Sequence, residues 1–409
     1  MLFILLFIIV LNFSFELILD ILNLLNRHKP IPEILNDVYP EDRYSLQQAY
    51  EVETTRFSFL RSTISLIAII VLLVFGLFGK LHIWIVELGY GEVLTTLIFF
   101  GVLAIASRIL SMPFSVWGTF VIEEKYGFNK TTPKTFILDI FKSLLLTATI
   151  GGGLLALITW IFYATGEWFW LIALGVMLVF SLLANALYSR VIVPLFNKQQ
   201  PLQEGELLDS IKEFAQKVGF PLSKVFVIDG SKRSTKANAY FSGFGKNRRV
   251  VLYDTLIENM SNDEVLAVLA HEIGHYRKRH IWINMAVGAV QSAAILYIFG
   301  RIATSKELAI ALGYAEVNEP VFHLALIAFG ILFSPIENVL GIATNAFSRR
   351  MEYQADAFAS KYGLGESLVK GLKKLSAESL SNLTPHPAYV FVNYSHPPLY
   401  KRVLKILGG

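Results

Sequence analysis

The stretch His271-Glu272-Ile273-Gly274-His275 sets two imidazoles four positions apart, with a carboxylate directly after the first. Residues four apart share one face of an α-helix, so His271 and His275 can both reach one tetrahedral zinc ion. Glu272 then points beside the metal and not at it, where a general base is needed to take a proton from attacking water. That chemistry is zinc-assisted hydrolysis. The 409 residues include no cysteine, so thiolate ligands and a cysteine nucleophile are excluded together. The third ligand of a catalytic zinc must therefore be His, Asp or Glu. Glu352 and Asp356 in SRRMEYQADAFA are again four apart. We assign Glu352 as the third ligand and Asp356 as the acceptor for a ligand histidine N–H, which fixes that ring's tautomer.

Other readings fit less well. A transporter with a structural zinc would need a closed four-ligand site, whereas this sequence supplies three ligands and a placed base. An inactive scaffold conflicts with an intact motif, and incidental histidines on a surface helix would not explain the second charged pair.

The elements that must position these residues are mostly membrane helices. The chain is 54% hydrophobic and only 17% charged, well beyond the soluble average of roughly a quarter charged. A net charge of +4 is too mild to argue for nucleic acid as a partner. Seven segments approach the ~20 apolar residues that a crossing needs: residues 1–22, 63–85, 93–114, 137–162, 169–196, 281–304 and 321–347. The first lacks a basic leader and a small-residue cleavage motif, so it reads as a retained span. Lys142 and Arg190 read as snorkelling at helix ends. Arg108 and Glu337, nearer mid-span, are expected to face a wet cavity.

Lys and Arg are distributed asymmetrically. The connections 27–61, 125–134, 198–279 and the tail from 349 hold five, three, thirteen and nine; the opposite turns hold at most one each. By the positive-inside rule the N-terminus is outside and the metal site cytoplasmic. The tail KILGG has no dilysine-type retrieval signal, which favours a bacterial inner membrane over endoplasmic reticulum. A monomer is expected.

Four parts follow: five membrane helices in 1–196, a cytoplasmic metal-binding part in 197–280, helices six and seven in 281–347, and a cytoplasmic C-terminal part in 348–409. Within the second, 207–218 has helical periodicity and 224–228 reads as a strand. Residues 238–254 read as a β-hairpin with a Gly-Lys-Asn turn. Ser261 with Glu264 three positions on forms a capping box that starts the metal-binding helix.

Three further stretches carry a resemblance: EEKYGFNKTT (123–132), NAYFSGFGKNRRVVLYDTL (238–256) and SHPPLYKR (395–402). With the HExxH and downstream ExxxD motifs, they resemble the CAAX prenyl endopeptidase type 1 family, membrane-embedded zinc metallopeptidases of gluzincin type. Five spans precede the HExxH here; the related heat-shock membrane protease branch has two. The resemblance covers essentially the whole chain. It implies a mostly α, polytopic fold: seven transmembrane helices around a water-filled chamber, capped by a cytoplasmic α+β zinc metallopeptidase domain. It also implies that Asn238, Ala239 and Tyr240 lie on a strand that binds substrate backbone. His396 and Arg402 would be the pair that stabilises the oxyanion and holds the site closed. The implied activity is C-terminal processing of prenylated Cys-a-a-X peptides or proteins at the bilayer, with quality control of membrane proteins as the alternative.

Overall fold

Apolar stretches in a bilayer must satisfy their backbone internally, which favours uninterrupted helices. The computed structural model describes residues 1–242, 248–317 and 319–408, and it is mostly helical. Six helical runs are long and apolar enough to cross a membrane: Leu2–Asn26, Glu41–Val74, Glu92–Glu123, Pro133–Phe196, His280–Ile302 and Phe322–Lys361. The fourth reverses at Gly166, where φ is +52°, and its two arms pack on each other. It therefore crosses twice, giving seven spans.

The second span differs from its sequence reading. Its helix begins at Glu41, far ahead of the apolar stretch, and stops at Val74; a separate short helix, Leu77–Val86, follows. The break is at Gly76, whose φ of +59° favours glycine. Its backbone lies so near that of Gly313 that a side chain would be crowded. Hydropathy cannot register a turn between apolar residues. Lys142 Nζ donates to the Leu195 carbonyl, near the end of the hairpin's other arm, at 2.7 Å.

Neighbouring spans close a ring. The first packs on the second and the seventh, the fourth on the third and fifth, and the sixth on the fifth and seventh; Leu77–Val86 links the second to the third. Few side chains along these spans are buried. One end of the ring is filled by Phe162, Phe169, Phe299, Phe322 and Phe329, with His82 and His323 bonded beside them at 2.9 Å. At the other end lies the metal-binding part.

There a four-stranded sheet runs in the order β1-β2-β4-β3: β1 Gln199–Pro201, β2 Leu222–Ile228, β3 Ala239–Ser242 and β4 Arg248–Tyr253. β2 and β4 are parallel; the other two pairings are antiparallel. The Gly-Lys-Asn turn read at 245–247 lies outside the described residues. The sheet's apolar face packs with helices Glu206–Lys217 and Asn262–Arg277 around Leu252, Leu256 and Leu269. The capping box is formed: Ser261 Oγ accepts from the Glu264 N–H at 3.3 Å, and Glu264 accepts from the Ser261 N–H at 2.9 Å. Helix Asn262–Arg277 ends where Arg279 takes φ of +60°, and the sixth span begins at once with His280. The seventh runs unbroken through Phe322–Lys361, forty residues or about 60 Å. Two spans thus deliver the two halves of the metal motif.

Candidate active site

Helix Asn262–Arg277 and the last turns of Phe322–Lys361 cross at the motif residues. His271 Nε2 and His275 Nε2 are 3.2 Å apart. Glu352 Oε2 lies 3.4 Å from His271 Nε2, and Oε1 lies 3.2 Å from His275 Nε2. Ligands bonded tetrahedrally at 2.0–2.1 Å stand about 3.3 Å from one another, so the three side chains have the spacing that one such ion requires. Glu352 Oε2 is buried without a hydrogen-bond partner. A buried orphan acceptor is costly unless something else satisfies it. Burial alone would lower the His271 pKa, but the Asp356 and Glu352 carboxylates beside it raise it to about 9. The pocket therefore favours positive charge. These donors, two imidazoles and a carboxylate, suit zinc.

Behind this trio, Asp356 Oδ1 accepts from His271 Nδ1 at 2.9 Å. Nδ1 is thereby committed to Asp356, and Nε2 is the nitrogen that faces the trio. Arg402 is buried and pairs with Asp356 through both ends of its fork, Nε to Oδ2 at 2.9 Å and Nη2 to Oδ1 at 2.6 Å. Its Nη1 is 3.6 Å from Glu352 Oε2. His396 reaches the trio from the SHPP segment, with Nε2 3.4 Å from Glu352 Oε1 and Nδ1 2.9 Å from Ser395 Oγ. At 63% exposed, its side chain forms the open rim of the site. Arg349, one turn before Glu352, ties down the approach to this segment by donating to the Val390 and Tyr394 carbonyls. Glu272 is half-buried and makes no hydrogen bond to any described residue.

Of the residues named from sequence, His271, His275, Glu352, Asp356, His396 and Arg402 form one cluster. Asn238, Ala239 and Tyr240 do not join it by any described hydrogen bond. Ala239 pairs with Leu252 on β3, which is an edge strand, and the Asn238 carbonyl accepts from the Tyr253 N–H at 3.1 Å. Tyr240 faces away from the sheet's core, with its ring 6.2 Å from that of Tyr188 in the fifth span.

Two contributors escaped the sequence reading. His280 is buried and bridges His275 Nδ1 at 3.0 Å to Gln354 Oε1 at 2.9 Å, supporting the second histidine as Asp356 supports the first. Gly274 lets the two helices touch; a Cβ there would meet Ala355 Cα at 3.0 Å. Its signal was available, because glycine inside a helix is unfavourable unless packing requires it.

Residues 21–198 match the family model described as CAAX prenyl protease N-terminal, five membrane helices. Residues 201–408 match that of peptidase family M48. The chain belongs to peptidase family M48. It is a membrane metallopeptidase that spans the bilayer several times. The CAAX prenyl protease 1 homologue of Arabidopsis thaliana is 36% identical over 97% of this chain and 95% of its own length. CAAX prenyl protease 1 of Saccharomyces cerevisiae is 35% identical over 91% and 87%. The crystal structure of S. mikatae Ste24p superposes with a TM-score of 0.92 at 34% identity, covering 99% of this chain and 98% of that one.

Proposed function

We propose that this chain is a zinc endopeptidase that cleaves the C-terminal residues from prenylated CAAX polypeptides, working at the cytoplasmic end of a wet, helix-walled chamber. The observation that carries the reading is the tetrahedral spacing of His271 Nε2, His275 Nε2 and the Glu352 carboxylate, with an unpaired Glu272 next to the first. Similarity over nearly the full chain to proteins named CAAX prenyl proteases supports the substrate class.

His271, His275 and Glu352 would hold a zinc ion, which when bound would supply Lewis acidity to the scissile carbonyl and to the attacking water. The Glu272 carboxylate takes the proton from the attacking water and passes it to the amide nitrogen as the C–N bond breaks. Asp356 keeps His271 in the tautomer that leaves Nε2 free, and Arg402 holds Asp356 in place. The Arg402 fork is occupied by Asp356, so we assign it to positioning. His396, exposed at the rim, donates from Nε2 to the developing oxyanion. Asn238, Ala239 and Tyr240 offer the free edge of β3 to an extended peptide. Arg108 and Glu337 would give the ring a polar lining suited to hydrolysis within a bilayer. The excess of Lys and Arg in the connections on that side supports a cytoplasmic site.

The test is cleavage of a farnesylated and an unmodified CAAX peptide by the purified protein, with and without a chelator. Chelator-sensitive cleavage that favours the farnesylated peptide supports the proposal. Equal cleavage of both would move the function to general membrane-protein turnover, and cleavage untouched by the chelator would contradict the zinc mechanism.

A further inference from the structure

At the end of the ring away from the metal site, a cavity of about 670 Å³ opens between the fourth, fifth and sixth spans and the segment that enters the seventh. Its volume lies within the usual range for small-ligand sites. Its walls are fixed. The Tyr163 hydroxyl accepts from the Phe322 N–H at 3.1 Å and donates to the Pro320 carbonyl at 3.3 Å. Trp170 and Tyr297 meet edge to face at 5.5 Å.

The cavity holds charges of both signs that do not neutralise one another. Arg301, Glu167 and Glu319 line it, and among the described residues none of the three forms an ion pair with another. Trp168 is 67% exposed in the turn between the fourth and fifth spans, and tryptophan at the ends of spans anchors proteins among lipid headgroups. Leu171, Ile172 and Ile298, close in sequence to the lining residues Trp170 and Tyr297, are exposed apolar surface on the spans. An ordinary aromatic belt is scattered around a protein; here four separate segments converge on one cleft.

We infer that this cleft binds one glycerophospholipid with a zwitterionic, primary-amine headgroup. The phosphate sits on Arg301, the ammonium lies between Glu167, Glu319 and the Trp168 face, and the acyl chains follow Leu171, Ile172 and Ile298. A guanidinium matches phosphate by charge and fork geometry. The ammonium gains both carboxylate hydrogen bonds and cation–π contact. An anionic headgroup without an amine would set a net negative charge against two carboxylates and is disfavoured.

The experiment is native mass spectrometry of the intact, delipidated protein after incubation with equal amounts of dioleoyl phosphatidylethanolamine, phosphatidylglycerol or phosphatidylcholine. Wild type is expected to retain one phosphatidylethanolamine about tenfold more than phosphatidylglycerol, with phosphatidylcholine between them. Arg301→Gln is expected to lower phosphatidylethanolamine retention about tenfold while keeping its zinc content. If that variant loses zinc as well, Trp168→Ala decides instead, with the same loss expected. Equal retention of phosphatidylethanolamine and phosphatidylglycerol by wild type, or unchanged retention in the folded variant, would overturn the inference.

Discussion

A Cβ placed on Gly274 would stand 3.0 Å from Ala355 Cα and 3.1 Å from Phe358 Cβ. His271, His275 and Glu352 come together because two helices approach this closely at the middle of the motif, one residue from His275 and three from Glu352. Gly274→Ala should raise the helix's intrinsic stability by roughly 0.5–1 kcal/mol, yet it forces the helices apart. Overpacking of this kind costs about 1–3 kcal/mol. We expect zinc affinity, measured by competition with a chromogenic chelator, to fall at least ~10-fold while helix content is unchanged. Unchanged affinity would show that the approach is not needed.

The Asp356–Arg402 pair gives a second prediction. Asp356→Ala frees the His271 ring and should weaken zinc binding by about 10–100-fold. Arg402→Ala leaves a buried carboxylate without its cation, which costs roughly 3–5 kcal/mol. The double variant Asp356→Asn/Arg402→Ala should be less destabilised than Arg402→Ala alone. Additive losses in thermal unfolding would argue against coupling.

His280 should matter for zinc although it is not placed to bind it. His280→Ala removes the partner of His275 Nδ1 and is expected to lower zinc affinity about tenfold. His280→Gln can still reach Gln354 and is expected to lose less.

The capping box links acidity to the metal helix. Burial would raise the Glu264 pKa, but hydrogen bonds from Lys374 and Ser261 outweigh it, and the carboxyl is held below its usual 4.5. A depressed folded-state pKa contributes stability that is complete above the unfolded value and is lost as pH falls through the folded one. Hydrogen exchange across residues 262–277, taken relative to the intrinsic rate at each pH, should therefore quicken below about pH 4.5. Ser261→Ala should quicken it already at neutral pH, by a loss of ~1 kcal/mol. A ratio to the intrinsic rate that does not change with pH in the wild type would contradict this.

What was legible in the sequence follows from what chemistry forces. His271, His275 and Glu352 stood out because two helical i, i+4 pairs in a chain without cysteine leave few other ligands. The spans stood out because lipid demands long apolar helices. The second span was misjudged because the Gly76–Gly313 approach that ends it joins residues distant in sequence. His280 was hidden because it begins a span and reads as part of a hydropathic run. The Arg402 partner was invisible for the same reason: nothing local to SHPPLYKR reveals that its guanidinium turns inward to Asp356 and not outward to substrate. Pairings that depend on crossing elements became visible only with the fold.

In the proposed mechanism Glu272 transfers the proton beside a zinc ion that it does not hold. The most direct measurement is zinc content together with cleavage of a farnesylated CAAX peptide, on wild type and Glu272→Gln. One zinc per chain is expected in both, with a loss of turnover on the order of 10²–10⁴ in the variant. A variant that keeps near wild-type turnover, or that loses its zinc along with its activity, would contradict it.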